Sequence, residues 1–303
     1  MLKGNKVKNF SLVDYRKKDY KVYIIVVLVI LVVYTLSVLF LLFWGFSTSL
    51  KSRAEFRSNL LGLPKHWEFS NYVKVFQEIY VTVDNGTKNI YVPQLMINAI
   101  IIACVNAFIP GWVNIVVAYL TVRFSHIKFN KFIINTTIIM MLIPIGAPLS
   151  VQLSFRKSIG LYDNLFLNLI PGMGWGGTGL FIYRSLFAGT GKSYCEAASI
   201  DGANEFTIMT RIMFPFILPM FMSFSLMGII GAWGDYTQTL VWLPSMPTIG
   251  YALFNFSSSS ATSLSNPTMQ ISACMLVMLP MLILFIIFGN YFMKNINVGG
   301  LKG

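Results

Sequence analysis

An all-α membrane protein with six transmembrane helices and both termini in the cytoplasm is the fold this sequence predicts, and three observations predict it. The chain has 303 residues, 55% hydrophobic and 11% charged, against roughly 25% charged in an ordinary soluble domain. Its apolar residues gather into runs near the length of about 20 residues that carries a helix across a bilayer. Lys and Arg alternate in density between successive connecting segments, the pattern that orients membrane helices.

The spans follow in order as Val22 to Phe46, Leu95 to Val122, Phe132 to Leu153, Asn164 to Tyr183, Ile212 to Leu240 and Met269 to Met293, with Asp235 the one charge inside any of them. The first holds 25 uncharged residues, too long for a signal-peptide core of about 7 to 15, and no small-residue cleavage site follows it. It is expected to stay as an anchor. Residues 1–21, 123–131, 184–211 and the tail from Lys294 hold 15 basic residues in 68 positions, and the opposite side holds 8 in 86. The first set is therefore expected in the cytoplasm. This gives a cytoplasmic segment 1–21, a membrane domain 22–293 with an external segment 47–94 and a cytoplasmic loop 184–211, and a cytoplasmic tail 294–303.

The formal charge of +12 is spread over these short connectors. It reads as a topology signal rather than the continuous basic stripe of a nucleic-acid binder. Cys104, Cys195 and Cys274 are an odd number without CxxC spacing and suggest neither a disulfide framework nor a metal site. His66 and His126 stand alone, and no Ser/His/Asp set is suggested. Gly191-Lys192-Ser193 lacks the Gly of a phosphate loop, because Leu186 occupies that place and no strand precedes it. The chain is not expected to hydrolyse ATP or to be an enzyme.

Helix breakers mark two spans. Pro110 and Gly111 are expected to interrupt the second, and Gly172, Gly174, Gly176, Gly177 and Gly179 crowd the fourth. Such residues are tolerated at membrane depth where protein or a water-filled cavity surrounds them, so close helix packing and a broken, cavity-lining helix are both open readings. Asn98, Asn106 and Asn114 recur every eight residues, about 80° apart per step on a helix. They share no face and read as interhelical hydrogen bonds. The Ser257 to Ser260 run reads as part of a flexible external loop.

The segment Glu196-Ala197-Ala198-Ser199-Ile200-Asp201-Gly202-Ala203 lies between the fourth and fifth spans. Ala-rich helix formers run up to a Gly able to take positive φ and stop a helix. A second helix then leads through Ile212-Met213-Phe214-Pro215 into the membrane. The exposed acids Glu196, Asp201 and Glu205 suit a basic partner surface.

Glu-Ala-Ala, three residues, Gly, nine residues, Ile-x-Leu-Pro is the signature of the inner-membrane permease subunits of binding-protein-dependent ABC importers. This chain resembles it at Glu196, Ala197, Ala198, Gly202, Ile212 and Pro215, with Phe214 in place of Leu. From about residue 95 onward it resembles the carbohydrate-uptake, maltose-type branch. The resemblance lies in Asn98-Ala-Ile-Ile, Ala118-Tyr119-Leu120 to Arg123-Phe124, Met141 to Pro144, Ile159-Gly160-Leu161-Tyr162-Asp163-Asn164 and the ending Val298-Gly299-Gly300-Leu301-Lys302-Gly303. Departures are Gly191 for the usual Pro, Tyr194 for Leu, and Trp233-Gly234-Asp235-Tyr236 for Trp-Asn-x-Phe.

The resemblance implies a type I ABC importer permease fold in a bacterial cytoplasmic membrane. It implies four kinds of partner: a homologous second permease, two ATPase subunits that bind ATP and Mg, an extracellular solute-binding protein, and a carbohydrate, expected to be an oligosaccharide. Glu196, Ala197, Ala198, Asp201, Gly202, Ala203 and Glu205 would form the loop coupled to the ATPases, with the tail from Val298 also reaching them. Asp235 at mid-span would cost about 2.5–3.5 kcal/mol, so a place near the outer end of the span is expected. There Asp235, with Trp233, Tyr236 and Gln238, would either line a sugar pathway, since aromatic faces stack on sugars while amides and carboxylates bond hydroxyls, or stand at the interface as a snorkelling acid among belt aromatics. Asn98 joins that set through its family motif. The alternatives are an importer for phosphate esters or polyamines, which would put several charges in the spans, and an ion-coupled carrier, which would need no ATPase.

Overall fold

The computed structural model describes residues 18–83, 86–143, 148–168, 176–190, 192–258 and 266–296. The expectations placed on the segment before Lys18, on Gly172, Gly174 and Gly191, on Ser259 and Ser260, and on the Val298–Gly303 ending lie outside these residues.

Helix α1 (Lys18–Ser49) is the longest uninterrupted apolar run. Every side chain from Lys21 to Leu41 is exposed, and an apolar helix without protein around it matches a lipid environment. Its last turns are covered by the segment that follows, which contains short helices α2 (Arg53–Ser58) and α3 (Ser70–Glu78). Lys51 is fully buried there, and its Nζ donates to the carbonyls of Asn59 (2.9 Å) and Leu60 (3.3 Å). Two strands depart from the all-helical expectation. β1 (Tyr80–Val83) and β2 (Lys88–Tyr91) pair antiparallel, Tyr80 opposite Tyr91 and Val83 opposite Lys88. Val81, Val83 and Ile90 point into the core, each alternate with an exposed residue, as the two-residue period of a strand requires.

Helix α4 (Val92–Arg123) is continuous, which corrects the expected interruption at Pro110 and Gly111. Pro110 removes one donor, but proline is tolerated within membrane helices, and the half-buried Pro110 leaves α4 helical on both sides. α4 packs most heavily on the fifth span. A Cβ on Gly228 would sit 3.1 Å from the Cβ of Ala107, so the small pair lets the two backbones approach.

The third expected span is divided. α5 (Lys128–Leu142) stops at the extended Ile143, and α6 (Leu149–Ser158) starts after Pro148. Ile143 directly precedes Pro144 in the sequence, and a residue before proline is driven out of helical geometry. In the fourth, the described residues form α7 (Leu165–Asn168) and α8 (Gly177–Gly189). The loop helix α9 (Lys192–Ile200) follows, and α10 (Glu205–Thr207) then passes through a π-helical turn (Ile208–Met213) into α11 (Phe214–Trp233). Within that turn the Phe214 N–H donates to the Met209 carbonyl, a step of five residues, directly before Pro215, which has no N–H to give. α11 ends at Trp233, so the expected fifth span to Leu240 is too long; a second π-helical turn (Gln238–Trp242) and α12 (Ile249–Ser258) come next. α13 (Pro267–Ile296) closes the chain.

Among the described residues, four helices are long and apolar enough to cross a membrane: Lys21–Ser49, Val92–Arg123, Glu205–Trp233 and Pro267–Gly289. The protein is a multi-pass membrane protein. Two main apolar clusters occupy opposite ends of α4. One joins the hairpin, α12 and the start of α13 through Val92, Leu95, Ile249 and Ala273. The other joins α4, α8, α9 and α11 through Ile115, Tyr119, Phe187, Cys195 and Ile217.

Candidate functional site

The α9–α10 turn is built from local chemistry. Gly202 has φ +83°, its N–H donates to the Ser199 carbonyl (3.2 Å) and the Ala203 N–H donates to the Ala198 carbonyl (3.0 Å). This pair of bonds is the Schellman stop, which leaves the left-handed position to glycine. Two residues later the Asn204 side chain accepts from the Thr207 N–H (2.8 Å) and starts α10 as its N-cap. A stop and a start signal two residues apart turn the chain sharply.

Packing then seats this turn on the bundle. Cys195 and Ala198 face inward, 5% and 7% exposed, onto Ile208, Met209 and Met213. Burial pushes the Cys195 thiol pKa up, so it serves as a small core side chain rather than a reactive thiolate. Arg123, at the end of α4, reaches both flanks of the turn. Its Nη2 donates to Glu205 Oε1 (2.9 Å) and Ser199 Oγ (3.2 Å), and its Nε to both Glu205 oxygens (3.2 and 3.3 Å). The Tyr119 hydroxyl donates to Glu205 Oε2 (2.7 Å). Glu205 is thus clasped inside the chain, which separates it from Glu196 and Asp201, both exposed. Glu196 also borders a cavity of about 290 Å³ that Tyr119, Arg123, His126 and Thr190 line.

What the turn shows outward is partly apolar. Ile200 is 86% exposed and Phe206 69%, one on each side of Gly202, with Ala197, Glu196 and Asp201 beside them. The sequence reading centred on acids and did not single out Ile200 or Phe206. The available signal was local: Ile200 lies on the face of α9 opposite Cys195 and Ala198, and Phe206 stands next to the Asn204 cap of α10.

The residues proposed for a solute pathway separate into two groups. Asn98 and Trp233 are buried, 4% each. Asn98 Nδ2 donates to the Pro247 carbonyl (2.9 Å) and its Oδ1 accepts from Gln94 (2.9 Å). Trp233 Nε1 donates to the Val277 carbonyl (3.0 Å), tying α11 to α13. Asp235, Tyr236 and Gln238 lie beyond α11. Asp235 is exposed and caps its own turn by accepting from the Thr237 N–H (2.9 Å), so it stands at the end of the helix rather than in its interior. Tyr236 stacks flat on Phe254, 4.3 Å between centroids; Gln238 is half-buried. Asn114 also makes the kind of bond expected of it, accepting from the Gly176 N–H (2.9 Å) at the start of α8.

Trp233→Phe is expected to lower thermal stability by about 1 kcal/mol, one interhelical hydrogen bond, and to leave solute affinity unchanged. Thermal denaturation of purified protein together with solute titration checks this.

Several long apolar helices, with a tight helix pair clasped to one end and the folded segment of α2, α3 and the hairpin at the other, describe a membrane-embedded subunit. The family model described as binding-protein-dependent transport system inner membrane component matches residues 95–298, and the chain belongs to that family. It is 29% identical over 178 residues to the arabinooligosaccharides transport system permease protein AraQ of Bacillus subtilis (strain 168), covering 56% of this chain and 61% of that one. It is 26% identical over 267 residues to the melibiose/raffinose/stachyose import permease protein MelC of the same organism, covering 85% and 89%. A crystal structure of a bacterial ABC transporter involved in import of the acidic polysaccharide alginate contains a chain of the same fold. Its TM-score is 0.73 at 20% identity, over 91% of this chain and 98% of that one.

Proposed function

We propose that this chain is the permease subunit of an ATP-driven importer in a bacterial cytoplasmic membrane, moving an oligosaccharide that an extracellular binding protein delivers. The observation that carries the mechanical half of this reading is the α9–α10 turn, which presents Ile200 and Phe206 to solution while Arg123 holds its two arms. An apolar knob on a rigid mount suits docking into a cleft of an ATPase subunit, so that nucleotide-driven closure moves the helices as rigid bodies. Glu196, Ala197, Asp201 and Gly202 share the outward surface; Ala198 and Glu205 secure it from behind, and Ala203 completes the stop. ATP and Mg would be held by the ATPase pair, and a second, homologous permease would complete the pathway.

The oligosaccharide assignment is supported by the names of AraQ and MelC and by the scarcity of charge in the spans. Tyr236, Gln238 and Asp235 are the residues of the pathway set that present surface to a solute. Six crossings with the α9–α10 turn inside belong to this reading, and the four long apolar helices would supply four of them. α4 runs from the Asn98–Pro247 contact at one end to the Arg123–Glu205 contact at the other, which sets that turn opposite the external segment. α5–α6 and α7–α8 would serve as the two remaining crossings. The termini at 1–21 and 294–303 would share the cytoplasmic side.

Ile200→Asp is expected to reduce recovery of the ATPase subunits with the purified permease by about tenfold, since it puts a charge in the centre of an apolar contact. Undiminished co-purification would remove the docking assignment. Mass spectrometry of the solute released from the cognate binding protein tests the substrate; a ligand other than a carbohydrate would overturn it.

A further inference from the structure

At the end of the bundle that carries the α9–α10 turn, a second cavity of about 300 Å³ opens between α4, α5 and α8. It is lined by Thr121, Ser125, Asn130, Lys131, Asn135 and Arg184, with Ile134. No acid is among these described residues. The Nε of Arg184 is buried and finds no hydrogen-bond partner among the described residues. A guanidinium N–H withdrawn from water without an acceptor costs free energy, and an anionic oxygen is the acceptor that best offsets it. Lys131 supplies a second positive charge, exposed at the mouth. Asn130 is already committed through its Nδ2 to the carbonyls of Leu120 and Phe124, which fixes the cavity wall.

The surroundings indicate where such an anion comes from. Phe129 and Phe132, on the same turns of α5 as Lys131, are 63% and 62% exposed and stack on each other with centroids 6.1 Å apart. Exposed apolar rings on the side of α5 away from the cavity fit a lipid-facing surface next to the basic pocket. Basic pockets between membrane helices take phosphate-bearing headgroups.

We propose that this cavity binds an anionic glycerophospholipid, its phosphate between Arg184 and Lys131. The site joins the start of α5 to the end of α8, so bound lipid braces the helices on which the α9–α10 turn is mounted.

Native mass spectrometry of the full-length chain, exchanged into detergent with equal dioleoylphosphatidylglycerol and dioleoylphosphatidylcholine, tests the proposal. Retention of the anionic lipid is expected to exceed that of the zwitterionic one. That preference is expected to fall about tenfold in Lys131→Gln/Arg184→Gln, which removes both charges, and to persist in Arg184→Lys. Lys131→Gln alone, a change at an exposed position, is expected to show an intermediate loss and gives a reading if the double variant does not fold. Equal retention of both lipids, or an unaltered preference in the Gln variants, overturns the proposal. Displacement of the lipid by millimolar inorganic phosphate would assign the site to the free anion and overturn the lipid reading. Neither readout involves ATPase subunits or transport, so failure here leaves the proposed function standing.

Discussion

Gly202→Pro is expected to leave the protein inserted in the membrane and to abolish solute uptake, reducing it to the level of cells lacking the permease. Proline fixes φ near −65° and has no N–H, whereas Gly202 sits at φ +83° and donates to the Ser199 carbonyl. Both the conformation and a bond of the helix stop are lost, so the angle between α9 and α10 cannot be kept. Beyond its chain neighbours, no atom of the described residues lies within 4 Å of where a Cβ on Gly202 would stand. A side chain is therefore opposed by the backbone alone, and Gly202→Ala is expected to cost only about 1–2 kcal/mol locally and to retain part of the uptake. Radiolabelled solute uptake, normalised to permease in isolated membranes, measures the series Gly, Ala, Pro. Equal uptake across all three would show that the shape of this turn carries no force.

The turn was legible in the sequence because its determinants are close together. Ala-rich α9, Gly202 at the stop and the acids around it all interact within a few positions, where propensity and capping rules operate. The roles of Glu205, Asn98 and Trp233 were not legible in the same way. Glu205 belongs to the same acidic set as Glu196 by sequence, but Arg123 lies 82 residues before it and turns it inward. Asn98 and Trp233 resemble pathway residues by type, yet their partners are backbone carbonyls 149 and 44 residues away, and a carbonyl has no residue type to recognise. Helix continuity inside the apolar runs was harder to read. Pro110 suggests an interruption by residue type, yet proline is tolerated within membrane helices and α4 continues through it. Pro144 and Pro148 were passed over although in the sequence they stand between the end of α5 and the start of α6. Hydropathy located the apolar runs well and was blind to whether a helix stays intact inside them.

Removing the clasp is the other change with a large expected effect, because it would loosen the proposed coupling of the α9–α10 turn to the membrane helices. Glu205→Ala deprives Arg123 and Tyr119 of their shared acceptor, and Arg123→Ala also frees Ser199, so the two arms of the turn lose their common tether to α4. The pair is partly open to water, with side chains 25% and 44% exposed, and its contribution to stability is therefore only about 1 kcal/mol after solvent screening. Function should suffer more than stability. A joint that transmits 1–3 kcal/mol of coupling loses most of it when the tether goes, so uptake is expected to fall about tenfold in either variant while insertion and melting temperature change little. ATP hydrolysis by the assembled transporter should continue without solute movement. The double variant Arg123→Ala/Glu205→Ala should be no worse than either single one, because both changes cut the same connection. Additive losses in uptake would mean that Arg123 and Glu205 act separately, and normal uptake in both single variants would mean that α4 receives its motion by another route, through the packing of Ile208, Met209 and Met213 against the helix bundle.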